Sequence, residues 1–337
     1  MTEIKRYEPE PENNGHLEGL YDSLLCRDNE FLDSLREDAQ NAGKGIDTGY
    51  RLTSMHGDGS LRDFRLFIPK YAITIICART GGGKTTTMTN LAVRLPLAGA
   101  VGMYVTLEEP AFSITAKMLA SYSRTVNASH SMQAINNHEA LKAIAGDLDC
   151  RDMDGFRKDV LKKCRPIDAN KTVDTSKIET ATVLYQPQYI TDLIQYRDKK
   201  TGRPLDFVII DFGQLLECSN GETNSYIRMK SVMMALKNLA GSGIAVIIGA
   251  QMKRESAPLW IWDWEPEMIR DGSDMEQAAS MIIAVGRDTK EKDLVNRDVI
   301  RLLKNRNGPK RVGGCFNIDF AHNYIPLTSA QPSEAAL

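Results

Sequence analysis

Residues 78–85 read Ala-Arg-Thr-Gly-Gly-Gly-Lys-Thr, and their flanks make this run the strongest constraint on the fold. The apolar run Ala72–Cys77 ahead of them reads as a buried strand. Behind them, the segment from Thr86 places Met88, Leu91, Ala92 and Leu95 at helical spacing. A glycine-rich turn between a strand and a helix start aims backbone N–H groups and a helix dipole at a polyphosphate. In that setting Arg79, Thr80, Gly81, Gly82 and Gly83 wrap the phosphates, with Thr86 in the first helical turn. Lys84 reaches the β- and γ-phosphates and the Thr85 hydroxyl holds Mg²⁺. Ala78 occupies the first loop position, before its tight part. The expected ligands are ATP and Mg²⁺.

The rest of the chain alternates strands with helices. Strand patterns fall at 101–107, 207–211, 244–250, 281–285, 299–304 and 315–318, and helical patterns at 112–124 and 226–239. The stretch 125–180 is polar with helical pieces, and 252–275 reads as a long connection. This order predicts an α/β fold with a mostly parallel central sheet and helices on both faces. Ligand then binds outside the carboxyl ends of the strands, where the residues that carry chemistry are expected to gather. Residues 1–44 read as a short extension, partly disordered with one helix over 21–42; 45–328 as the main domain; 329–337 as a mobile tail.

Composition narrows the function classes. With a formal charge of −2 over 337 residues, global electrostatics do not announce a nucleic-acid binder, so any such binding needs local basic patches. Six cysteines without a CxxC pair read as reduced core thiols, and the histidines show no metal-ligand spacing. No apolar run approaches membrane-spanning length, which points to a cytoplasmic protein.

Three acids and an amide follow strands. Glu108 and Glu109 come straight after the second strand, where a carboxylate can orient an attacking water; they also read as solvated acids in a turn. Asp211 closes a strand after four apolar residues, as a Mg²⁺-linked acid would, or as a turn cap would. Gln251 ends the next strand and could sense the γ-phosphate, or be a polar strand end. Near the C-terminus, Lys304-Asn305-Arg306-Asn307-Gly308-Pro309 projects two cations from a tight bend. By itself that is a solvated basic hairpin, but in a ring such cations can reach a neighbour's γ-phosphate.

Together these segments resemble the RecA-like motor domain of DnaB-type replicative helicases. The resemblance rests on the phosphate loop, Thr106-Leu107-Glu108, Ile209-Ile210-Asp211-Phe212-Gly213-Gln214-Leu215, Gln251 and the 304–309 run. Further family-like segments are Gly45–Tyr50, Met118–Ser121 and Asp271–Gln277. It covers about residues 45–325, without the usual helical N-terminal domain; the extension would supply one linker-type helix. The resemblance implies a ring, commonly hexameric, that hydrolyses ATP and moves on single-stranded DNA with replication partners. It implies Lys84 and Thr85 on phosphate and Mg²⁺, Glu108 as base, Asp211 as metal-linked acid and Gln251 as sensor. Lys304 and Arg306 would act across the subunit interface.

DNA-contacting loops in the family fall here at about 217–228 and 252–272, with Arg228, Lys253, Arg254 and Arg270 as candidate DNA contacts. The second loop is net acidic and carries every tryptophan, in Trp260-Ile261-Trp262-Asp263-Trp264. That run reads either as a base-stacking platform or as a hairpin strand packed on a neighbour or partner. Two other functions compete: a RecA- or KaiC-like ring ATPase that does not unwind, and an ATP-binding adaptor.

Overall fold

The computed structural model describes residues 45–55, 61–128, 133–168, 186–218, 224–253, 261–270, 272–287, 297–306, 308–309 and 312–328. A hairpin of β1 (Ile46–Met55) and β2 (Leu61–Ile68) comes first, then β3 (Ala72–Ala78), α1 (Lys84–Leu97), β4 (Gly102–Thr106) and α2 (Ala111–Val126). Next are α3 (Asn137–Ala145), a short α4 (Met153–Phe156), β5 (Cys164–Asp168), α5 (Pro187–Thr201), β6 (Phe207–Asp211) and α6 (Ser225–Gly241). The chain continues through β7 (Ala245–Gln251), α7 (Ser273–Ala278), β8 (Met281–Arg287), β9 (Arg297–Asn305) and β10 (Val312–Asn317). The helix expected over 21–42 and the tail 329–337 lie outside the described residues.

All ten described strands join one sheet, ordered β2-β1-β10-β9-β8-β3-β7-β6-β4-β5. From β8 to β5 every pairing is parallel; from β2 to β8 every pairing is antiparallel. The parallel half explains the continuous apolar runs, because helices cover both of its faces. Side chains alternate along each strand. Ile76, Ile209, Ile247 and Ile283 pack toward α1 and α2, while Ile75, Ile210, Ile248 and Ile282 pack toward α5 and α6. The expected fold class, α/β with helices on both faces, is what forms.

Three differences from the sequence reading have physical causes. The stretch 125–180 holds a strand, β5, which pairs with β4 at the sheet edge. Its sequence Cys-Arg-Pro-Ile-Asp hides it, because an edge strand tolerates both Pro166 and an exposed Arg165. The β1–β2 hairpin was not anticipated either, although Ile46, Thr48, Tyr50 and Leu52 alternate inward at period two. The third concerns where the residues with chemistry gather. Because β9 runs antiparallel to β8, Lys304 lies opposite Ile282 and Asn305 opposite Met281, at the start of β8. The phosphate loop leaves the sheet level with Val285. Lys304 and Arg306 therefore sit at the other end of the strands, about 10 Å and about 16 Å away along them.

After β10 the chain folds back as a strap. Asn90 bridges α1 to it, its Nδ2 donating to the Asn323 carbonyl at 2.7 Å and its Oδ1 accepting from the Ile325 N–H at 3.0 Å. The Asn323 amide donates to Thr89 Oγ1 at 2.7 Å. The Arg94 guanidinium donates to the Ile325 carbonyl at 2.7 Å and lies over the Tyr50 and Tyr324 rings. The helix behind the phosphate loop is thus held from the C-terminal side of the domain. All five described cysteines are buried.

Candidate nucleotide site

The phosphate loop forms because two positions admit glycine alone. Gly83, at the N-cap of α1, has φ +89°, which a side chain rarely adopts. A Cβ on Gly82 would lie 2.9 Å from the Arg79 carbonyl oxygen, which instead accepts the Gly82 N–H at 2.8 Å. The first N–H groups of a helix have no partner within it, so the start of α1 faces the cleft with donors available. Arg79, Thr80, Gly81, Lys84, Thr85 and Thr86 line that cleft with Glu108, Glu109, Gln251 and Phe320. Its volume is about 310 Å³, in the range of small-ligand pockets.

Parallel register brings the strand ends together. Ala78 is directly beside Gln251, and Thr106 is directly beside Asp211. Asp211 is the hub. One carboxylate oxygen contacts the Lys84 ammonium; the other accepts from Thr85 Oγ1 at 3.0 Å and from the Tyr104 hydroxyl at 2.9 Å. The Lys84 ammonium also lies 4.5 Å from the Phe212 ring centroid. Tyr104 is fully buried; that burial and the Asp211 charge push its pKa well up, so its hydroxyl stays a donor. The donor set fits a magnesium nucleotide: a hydroxyl and a carboxylate side by side, one ammonium, and a cradle that a Cβ would fill.

The two acids after β4 separate cleanly. Glu109 is half-buried, with both oxygens 2.6 Å from the Lys117 ammonium and one 2.8 Å from Ser113 Oγ. Glu108 is exposed and has no hydrogen bond or ion pair among the described residues. The Thr106 hydroxyl donates to the Glu109 carbonyl at 2.5 Å and fixes the turn that presents Glu108 to the cleft.

Across the cleft, the Arg287 guanidinium lies 5.7 Å from the Phe320 ring centroid. Sequence reading missed this pair and Tyr104. Arg287 ends β8 and Phe320 sits on the strap, so nothing but the closed sheet makes them neighbours. Tyr104 needs the β4–β6 adjacency before its hydroxyl can be aimed at Asp211.

Gln251 is framed by backbone. Its N–H donates to Gln214 Oε1 at 3.3 Å and its carbonyl accepts from the Arg270 N–H at 2.9 Å. The Lys253 N–H donates to the Met268 carbonyl at 2.8 Å, so the connection after β7 is closed at its root. Arg228, Lys253 and Arg270 gather around this root; Arg254 lies outside the described residues. The Lys253 ammonium donates to the Glu267 carbonyl at 2.8 Å.

Trp262 and Trp264 do not form a surface strand. Ile261–Asp263 is a 3₁₀ turn packed on the domain's own sheet, against Gly286 and Gly313, and Trp264 is 3% exposed. The Arg301 guanidinium donates to the carbonyls of Ile261, Trp262 and Trp264. Trp260 lies outside the described residues. For Trp262 and Trp264, packing is therefore the observed arrangement, within the chain itself.

At the opposite edge, the Lys304 ammonium donates to the Glu276 carbonyl and the Arg306 guanidinium to the Gln277 carbonyl, both at 2.6 Å. Both carbonyls belong to the last turn of α7, where a helix favours cations. Burial, then the nearby Arg306 charge, lower the Lys304 pKa.

The model of the DnaB-like helicase C-terminal domain family matches residues 68–325. Two solved structures share the RecA-like fold. A DnaB-like replicative helicase, described with its interactions with primase, aligns at TM-score 0.63 and 18% identity over 90% of this chain and 67% of that one. An ATPase domain aligns at TM-score 0.61 and 17% identity over 89% of this chain and 98% of its own. No curated protein sequence matches the chain. No described helix is long and apolar enough to cross a membrane.

Proposed function

The chain belongs to the DnaB-like helicase C-terminal domain family, and on that footing we propose that it is an ATP-hydrolysing motor acting on single-stranded DNA as a ring. Residues 45–328 form the motor. The loop 78–85 and the start of α1 bind the phosphates through backbone N–H groups, and Lys84 takes their charge. Bound Mg²⁺ would neutralise charge on the transferring group, held by Thr85 with Asp211 directly or through water. Tyr104 keeps the Asp211 carboxylate aimed after Lys84 turns to phosphate. Glu108, with no rival partner among the described residues, orients the attacking water and takes its proton, and Gln251 faces the γ-phosphate. Arg287 and Phe320 offer a flat cationic and aromatic surface for the base.

One observation carries the reading. Lys304 and Arg306 lie at the far end of the strands from the phosphate loop, so within one chain they cannot finish the site. They reach a γ-phosphate only in another copy, and repeated contacts of one kind close into rings. ATPase rate with and without single-stranded DNA, alongside a mass measurement with nucleotide, tests this. Stimulation by DNA in an assembled ring is expected; a monomer that never hydrolyses ATP overturns the motor.

A second reading, an ATP-binding ring that does not unwind, is favoured by the second loop. Of its described tryptophans Trp264 is buried and Trp262 half-buried, and its Lys253 ammonium is engaged by backbone. Strand displacement on a forked duplex separates the two.

A further inference from the structure

We infer that Gln214 is a positioning residue that carries the state of the nucleotide cleft into the 252–270 connection. It sits in the 3₁₀ turn Gly213–Leu215 just after Asp211. Gly213 lets that turn lie against β7, since a Cβ there would come 2.5 Å from Ile248 Cγ2. From this position one side chain touches two elements. Gln214 Oε1 accepts the Gln251 N–H at 3.3 Å, while its Nε2 donates to the Gln251 carbonyl at 3.4 Å and the Arg270 carbonyl at 3.2 Å. That pattern fixes which end of the amide is which. Its own carbonyl faces the Arg228 guanidinium at 3.5 Å.

Gln214 therefore joins the strand end that faces the phosphates to both ends of the connection and to the first turns of α6. The bonds lie at the long end of the hydrogen-bond range, so each is weak and readily remade. The stronger backbone pairs beside them, Arg270 N–H to Gln251 and Lys253 N–H to Met268, report whether the root of the connection is closed. A shift of Gln251 toward a γ-phosphate pulls on Gln214, and Gln214 pulls on Arg270.

The proposal rests on the reading of the cleft as a nucleotide site. Amide hydrogen exchange, with and without a non-hydrolysable imido analogue of ATP, tests it on the full chain. In the wild type, binding is expected to change exchange at Lys253 and Arg270 by about fivefold or more. Gln214→Leu should bind the analogue with unchanged affinity and protect the phosphate loop normally, yet leave Lys253 and Arg270 unresponsive. Gln214→Glu, which keeps the acceptor but loses both donors, should preserve protection of the Gln251 amide and lose the response at Arg270. It serves if the leucine variant fails to fold. Full response in a folded Gln214→Glu or Gln214→Leu protein overturns the proposal. So does a wild type that binds the analogue without change at Lys253 and Arg270. A wild type that does not bind it at all overturns the nucleotide reading as well.

Discussion

Single side chains decide the cleft's chemistry by what else they touch. Glu109 is held by Lys117 and Ser113, so the proposed role of orienting water falls to Glu108. Glu108→Gln is expected to keep nucleotide affinity and to lower turnover by about 10²–10⁴-fold, measured by equilibrium binding and steady-state hydrolysis. Turnover at the wild-type rate would remove the residue from that role. Asp298 makes a different point. It is 2% exposed, and one carboxylate oxygen has no hydrogen-bond partner among the described residues. Burial pushes its pKa up to about 6, against a smaller opposing pull from Arg287. A carboxyl raised on folding is penalised when ionised. The penalty is absent below the ordinary value of 3.8, grows as pH rises to about 6, and persists above it. Asp298→Asn is therefore expected to stabilise the protein at neutral pH by roughly 1–3 kcal/mol and to have no such effect near pH ~4. Equal shifts in thermal melting at both pH values would exclude ionisation as the cause.

At the scale of elements, what was legible in sequence was whatever a local pattern reports. β3, β6 and β7 are apolar runs buried on both faces, and the loop after β3 is marked by its glycines and Lys84. Asp211, Gln251 and Glu108 were singled out because each closes or follows an apolar run. Adjacency was not legible. β5 sits at an edge where Pro166 and Arg165 are tolerated, and the Tyr104 and Phe320 contacts depend on strand order. The antiparallel turn of β9 reversed the placement of Lys304, which no local pattern encodes. The tryptophan turn is a third case, where composition left stacking and packing both open. Its docking against Gly286 and Gly313 predicts that Trp264→Ala costs about 3–5 kcal/mol, read from urea unfolding midpoints. Trp262→Phe, which keeps an aromatic filling, should leave single-stranded DNA affinity unchanged. A several-fold loss of affinity in a stable Trp262→Phe protein would restore the stacking account.

For the whole molecule, the proposed ring divides labour between copies. Mixing Arg306→Ala subunits with Lys84→Ala subunits should recover part of the hydrolysis that each lacks alone, because an intact phosphate loop can then meet an intact Arg306. No recovery in mixed assemblies of verified composition would count against action across an interface. The strap after β10 has a separate consequence. Phe320 lines the cleft, and three to five residues later the same strand of chain is bonded to Asn90, Thr89 and Arg94. A ligand that grips Phe320 thereby also tightens the anchorage of the domain's C-terminal end. By thermodynamic reciprocity, clipping or loosening that end must weaken ligand retention by the same free energy.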